Sequence, residues 1–355
     1  MKAPYLWSRH KPRERRWLAA ALVALTAGVV TACSSSTAST GGQSTTVYKV
    51  KVGTSVVNSQ LLPLWVAQAN GYFAKHHLDV TVADLTASTE ATALLSGSVQ
   101  FIQINSGTFL QAKAQSTPLL AIQAWSFGQP VALIVAKSYA AAHGITAETP
   151  LATVMQKLVG STGGLSSSNT EGQANILFGS YNIHPSQLHE VMFSTPTAAE
   201  AALDTGRVDW FVTGQPVPDQ LAAEGHGIVV ADRQNAAAWG SIDDINSIGA
   251  TTKSYASAHA QETKDLVAAL QEATTFIHNN PSQCISVMQK NLPGISRTIL
   301  LKTIAANAWP TSGSMTTAMW AATKSFTTRE GEIQSNVNLV EGQDWTNAYV
   351  TTASS

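Results

Sequence analysis

The side chains that do chemistry in most enzymes are few in this chain and poorly grouped. It has two cysteines, Cys33 and Cys284, too few for a disulfide framework or a thiolate metal cluster. Cys284 lies in Pro281-Ser282-Gln283-Cys284-Ile285, where nothing would activate a thiol, and reads as a small buried apolar residue. Among the nine histidines, His76 and His77 are adjacent, whereas two metal ligands on one helix face need an i, i+4 spacing. His184 and His189 fall at helix ends or turns with no nucleophile beside them. Neither G-x-S-x-G nor G-x-x-x-x-G-K-[ST] occurs, so serine hydrolysis and nucleotide hydrolysis have no support. Short hydroxyl and amide clusters recur instead: Thr54-Ser55 with Asn58, Asn105-Ser106-Gly107, Ser167-Ser168-Asn169-Thr170, Ser194-Thr195 and Thr213-Gly214-Gln215. Small hydroxyl and amide side chains at a helix start cap it and leave backbone N–H groups free to meet an acceptor. No catalytic residue, metal or cofactor is expected.

Composition supports a folded protein. The 355 residues are 44% hydrophobic and 12% charged, the opposite of a disordered chain. Residues 1–32 hold six of the 21 basic and one of the 22 acidic residues, which leaves 15 basic against 21 acidic in the remainder. A body with that balance lacks the basic surface that binds a phosphate backbone, so no nucleic-acid partner is expected.

The leading segment reads as an address. Arg9 to Arg16 is basic, and Trp17 to Ala32 is an uncharged, mostly apolar run, short of the roughly 20 residues of a spanning helix. A basic head, an apolar middle and a small-residue end describe a signal peptide over 1–32. Val30-Thr31-Ala32-Cys33 resembles the bacterial lipobox, which implies that Cys33 is lipidated and becomes the new N-terminus. Arg15-Arg16 leaves the export route, general secretory or twin-arginine, open. The Ser/Gly-rich stretch after Cys33, within 33–46, is a flexible tether.

The elements that must position the hydroxyl and amide clusters follow from periodicity. Strands are expected over 47–56, 78–82, 99–104, 119–124 and 131–136, then 164–166, 191–193, 208–212 and 227–230. Helices are expected over 61–76, 88–96, 108–115, 151–158, 173–181, 197–204 and 218–224. After a polar stretch to Asn246 helices dominate, over 262–279, 282–291, 296–306 and 315–327. This alternation predicts an α/β protein with a largely parallel sheet, and no repeat of solenoid length is visible.

Three stretches carry a resemblance to a known family. Leu62-Pro63-Leu64-Trp65-Val66-Ala67 through Gly71-Tyr72-Phe73-Ala74-Lys75 and Leu78-Asp79-Val80 is similar to a first helix and the strand after it. Ala93-Leu94-Leu95-Ser96-Gly97-Ser98-Val99-Gln100-Phe101 is similar to a helix-to-strand turn, with Gln100 where aspartate is usual. Ala201-Ala202-Leu203-Asp204-Thr205-Gly206-Arg207-Val208-Asp209-Trp210-Phe211 repeats that turn in the second half. The chain thus resembles the substrate-binding lipoproteins of ABC importers of the nitrate/sulfonate/taurine type, which include thiamine-precursor binders, over about residues 47–330. The resemblance implies the two-lobed periplasmic-binding-protein fold (type II), two Rossmann-like lobes joined by a two-segment hinge. Lobe one would be 47–129 with 235–355, and lobe two 130–234.

The resemblance also implies a small-molecule ligand held between the lobes, an ABC permease as partner, a lipid anchor on the outer face of the cell membrane, and a monomer. Ligands of open α/β sheets meet the loops beyond the strand carboxyl ends. The candidates there are Ser55, Asn58, Asn105, Ser106 and Trp125 in lobe one, and Ser168, Asn169, Thr170, Thr195 and Gln215 in lobe two. Each hydroxyl or amide could instead simply cap a helix. Trp239 and Trp125 would offer flat walls to a heterocycle or pack in the core, and Asp243, with Asp244, would suit an ammonium group or open a solvated helix. None of the loops holds Lys or Arg, so a sulfonate, nitrate or taurine-type ligand would rest on backbone N–H groups and hydroxyls. Rival readings are an exported sensing or adhesion domain, and an enzyme like the pyrimidine synthases or menaquinone-pathway enzymes of related fold; the former of these enzymes use a cysteine-rich motif that is absent here.

Overall fold

The computed structural model describes residues 46–55, 57–86, 88–166, 168–193, 196–240, 244–333 and 337–351. Strand β1, Tyr48–Thr54, directs Val50 and Val52 to one face and into a first core, as period-two alternation requires. With β2 (Leu78–Asp84), β3 (Phe101–Asn105), β4 (Leu119–Phe127) and β10 (Ile245–Thr252) it forms a sheet of order β2-β1-β3-β10-β4. The second sheet, of order β7-β6-β8-β5-β9, takes β5 (Val131–Ala136), β6 (Thr162–Leu165), β7 (His189–Met192), β8 (Trp210–Gly214) and β9 (Gly227–Asp232). The two orders match: in each, the strand that enters from the other sheet lies between the last two of the remaining four.

That entering strand corrects the expectation of a largely parallel sheet. β10 is antiparallel to β3 and β4, and β5 is antiparallel to β8 and β9, so both sheets are mixed. Strand β10 itself was not expected. It is buried on both faces, and its polar residues are bonded inside rather than turned to water. Ser247 Oγ accepts from Gln103 Nε2 at 2.9 Å, Asn246 Oδ1 accepts from Gln60 Nε2 at 3.1 Å, and Thr251 Oγ1 donates to the Gln100 carbonyl at 2.8 Å. A strand whose buried positions are polar shows no alternation.

Strand β5 behaves as its unbroken apolar run predicts. Val131, Leu133 and Val135 join one core cluster with Trp210 and Phe178, while Ile134 and Ala136 join another on the opposite face. β4 is an edge strand, yet all nine of its residues are buried. The C-terminal chain covers it: Ala121 N donates to Asp344 O at 2.9 Å, and Thr346 N to Ala121 O at 2.9 Å. The helix expected over 61–76 is split into Leu62–Ala69 and Tyr72–Lys75, because Gly71 takes a left-handed φ of 72°. Cys284 is buried in the first core, where desolvation pushes its thiol up to about 11. Among the described residues no helix is long and apolar enough to cross a membrane.

Candidate functional site

Strand direction decides which loops can meet. In the first sheet Thr54, Asn105 and Phe127 end at one edge, where β10 begins. In the second, Leu165, Met192, Gly214 and Asp232 end at one edge, where β5 begins. The chain passes from Phe127 to Val131 through only Gly128, Gln129 and Pro130, a reach of at most about 14 Å. The return from Asp232 to Ile245 joins the same two edges. Both carboxyl edges are therefore held close together.

At the first edge, Ser55 N donates to Glu90 Oε1 at 2.8 Å, and burial raises that carboxyl above its ordinary value. Asn58 Oδ1 accepts from Gln60 N at 2.9 Å, so this side chain caps a helical turn. Asn105 is exposed in extended geometry ahead of the helix Ser106–Ala114 and makes no side-chain cap bond. Ser106 is buried, and Gly107 after it lies so close to Glu332 that a Cβ would sit 1.8 Å from its Oε2.

At the second edge the helix Ser168–Gly179 directs Ala174, Leu177 and Phe178 into the core, and its Asn169 reaches the turn at Glu330. Thr170 Oγ1 accepts from Ser166 N at 2.9 Å, closing the loop after β6. Asn169 Nδ2 donates to Glu330 Oε1 at 3.2 Å, and its side chain also bonds Glu332. Gln173 Nε2 donates to Gln129 Oε1 at 3.1 Å, on the crossing, and its side chain bonds Glu330 as well. Gln215 N donates to the Pro130 carbonyl at 2.7 Å, and its side chain is buried. Thr195 and Asp243 lie outside the described residues, as do Cys33, Ser167, Ser194 and the side chain of Ser168.

Two of the predicted loops, 105–107 and 169–170, thus flank one turn, Glu330-Gly331-Glu332. That turn follows the helix Thr317–Arg329, whose Trp320 joins a first-lobe core cluster with Ile104 and Ile248. The two tryptophans lie elsewhere. Trp125 is 1% exposed and packs on Gly249, where a Cβ would sit 2.7 Å from its Nε1. Trp239 is fully buried in the second core, its Nε1 donating to the Gln173 carbonyl at 2.8 Å. It therefore supports the helix carrying Asn169 from behind.

Glu330, Glu332, Gln173 and Gln129 were not anticipated. Burial, with Glu332 and Asp244 nearby, pushes the Glu330 carboxyl up to about 9, against the bonds from Gln173 and Asn169. Burial also raises Glu332. Arg233, between β9 and β10, is lowered by burial, with Asp244 acting against that shift. A signal was present in the sequence: two acids flank a glycine directly after a helix, in a chain with few charges.

The NMT1/THI5-like family profile matches residues 58–284. No curated protein sequence matches significantly. Among solved structures, the periplasmic aliphatic sulphonate binding protein SsuA from Escherichia coli is 15% identical with a TM-score of 0.63, covering 79% of this chain and 90% of its own. The periplasmic nitrate-binding protein NrtA from Synechocystis PCC 6803 is 14% identical with a TM-score of 0.55, covering 72% of this chain and 69% of its own. The desulfurization enzyme DSZB, 14% identical with a TM-score of 0.56, covers 81% of this chain and 94% of its own, so the fold also hosts catalysis. At such identities the likeness establishes the two-lobed α/β fold alone. The family profile covers well over half of the residues, including both crossings, and on that match the chain belongs to the NMT1/THI5-like family.

Proposed function

We propose that this protein is the extracytoplasmic solute-binding component of an ABC importer. The observation that carries the reading is the meeting of two carboxyl edges, with Asn169 of one lobe bonded to Glu330 of the other at 3.2 Å. A gap bounded on both sides by uncharged donors and by carboxyls can enclose a small molecule, and ligand contact with both sides favours the closed form. The lobes, 47–129 with 235–355 and 130–234, then dock as a closed pair on a membrane permease whose separate ATPase drives transport. Binding by a monomer needs no cofactor and no catalytic step.

The experiment is a thermal-shift screen of the purified protein against sulfonates, nitrate, taurine, pyrimidines and small amines. A ligand at 100 times its dissociation constant adds about 2.7 kcal/mol of stability, a shift of several degrees. Silence across all of these classes would remove the solute-binding reading. The leader supports a lipid anchor at Cys33, with residues 34–46 as tether. Replacing the thiol removes the acylated atom, so Cys33→Ser is expected to move the protein from the membrane pellet to the soluble fraction. A variant that stays in the pellet after a salt wash contradicts the anchor.

A further inference from the structure

We infer that the gap between the lobes takes an organic cation, a protonated amine or amidine bonded by Glu330 and Glu332 of the first lobe and Gln173 of the second. This rests on the solute-binding reading and adds the chemical class of the solute.

The first observation is the setting of two acids on one turn. Glu330 is 8% exposed, and Glu332 lies near enough to act on it. Among the described residues no ion pair joins Glu330 or Glu332 to a lysine or arginine. Two arginines of adjoining segments bond backbone carbonyls. Arg329 directs Nη2 to the Ala238 carbonyl at 3.4 Å and lies over the Phe326 ring, and Arg233 bonds the Ala306 carbonyl at 3.3 Å.

The second observation is independent of the carboxyls. Gln173 is 1% exposed and uses its Nε2 on Gln129, yet its Oε1 has no hydrogen-bond partner. The same side chain bonds Glu330. Glu332 Oε2 also has none, nor does Gln215 Oε1, in a residue 7% exposed at the same sheet edge. These orphans are all acceptors. A buried acceptor left unpaired is costly, and what would satisfy these is a ligand rich in N–H donors. A sulfonate or nitrate would add further acceptors.

Spacing separates an organic cation from a bare metal ion. Among the described residues, the group of three donors gathered within 4.8 Å is Glu200, Asp204 and His226, on the surface of the second lobe. The carboxylates in the gap are spread more widely, as suits a molecule with N–H groups at more than one end.

Ligand binding replaces protons. Glu330 faces Glu332 on its own turn, Asp244 at the start of β10, and the neutral Asn169 and Gln173 on the opposing helix, with Arg233 beyond Asp244. Burial pushes Glu330 up to about 9, so it holds its proton until a cation arrives, and binding releases it. Affinity should rise between about pH 6 and about pH 8, by up to about tenfold per unit for each proton released.

The test is isothermal titration calorimetry and thermal shift on the full chain at constant ionic strength. The probes are putrescine and agmatine, with methanesulfonate, nitrate, tetramethylammonium and calcium chloride as separate arms. Expected is saturable binding of putrescine or agmatine at one site per chain, strengthening with pH. Glu330→Gln and Glu332→Gln should each weaken it about tenfold to a hundredfold and flatten the pH dependence. Glu332 is partly exposed, so its variant serves even if Glu330→Gln folds poorly, which circular dichroism reports. Binding of methanesulfonate or nitrate but of neither amine overturns the cation class and leaves the solute-binding reading standing. An equal response to tetramethylammonium shows charge screening only, and a response to calcium alone shows a metal site; either overturns the inference. So does amine binding that both variants retain unchanged, and so does silence in every arm. In that last case the wider solute screen decides the solute-binding reading separately.

Discussion

Gly172→Ala is expected to leave the protein folded while preventing it from closing. Gly172 lies in the helix Ser168–Gly179, where alanine is favoured over glycine by about 1 kcal/mol. In this structure, however, a Cβ at that position would sit 2.2 Å from the Glu330 carbonyl oxygen and 2.6 Å from its Cα. These are backbone atoms and cannot swing away as a side chain tip would. Glu330 is itself held at the end of its helix, with its N donating to the Phe326 carbonyl at 3.0 Å. The clash is relieved only if the two edges move apart. The unliganded variant should therefore melt at the same temperature as the parent or slightly higher, yet lose the ligand-induced rise. Small-angle scattering should give a larger radius of gyration that ligand does not reduce. Compaction by ligand to the same degree as the parent would show that the Gly172 contact does not control closure. A loss of several kcal/mol without ligand would show it to be part of a fixed core.

Glu330→Gln should stabilise the protein at pH 8 and change it little near pH 5. The Glu330 carboxyl sits at about 9 in the folded protein against an ordinary value of 4.5. Below the lower value both folded and unfolded chains are protonated, and the group contributes fully. As pH rises from there the unfolded chain releases its proton while the folded chain keeps it, so stability falls until the folded carboxyl also titrates. The slope is at most about 1.4 kcal/mol per pH unit from this one group. Glutamine has nearly the same shape, stays neutral, and keeps an oxygen to accept from Asn169 Nδ2, so it removes the slope. Urea midpoints for parent and variant at pH 5 and pH 8 measure the difference. A gap between the two proteins that is the same at both pH values would mean that the carboxyl titrates normally. If the same variant also loses affinity for putrescine or agmatine, a carboxyl that costs stability is kept for binding.

Where the sequence could be read, it was read through local periodicity. β1 and β5 were placed within two residues because alternation at Val50 and Val52, and the unbroken run Val131–Ala136, report directly which faces are covered. Helices such as Leu151–Lys157 and Ala260–Asn279 were placed equally closely, from apolar residues at helical spacing. β10 was missed for the opposite reason: Asn246, Ser247 and Thr251 are buried polar residues, and burial of a polar side chain depends on a partner far away in the chain. Gln60, which bonds Asn246, is 186 residues distant. The loops after β3 and β6 were legible because small hydroxyl and amide residues gather where strands give way to helices. Trp125 and Trp239 were ambiguous because a tryptophan can wall a cleft or fill a core, and only packing tells which.

The sequence by itself determined the alternating α/β elements and the short hydroxyl and amide clusters at the loops between them. All of these are set by residues within a few positions of one another. Only the tertiary structure decided that the loop at Asn169 would meet a turn 161 residues further on, and that Glu330 would be buried there beside Glu332. Two short crossings between sheets place those groups together, and burial changes what they do. A carboxyl on a solvated helix end is an ordinary surface charge, whereas the same carboxyl buried between two sheet edges is pushed far above its ordinary range.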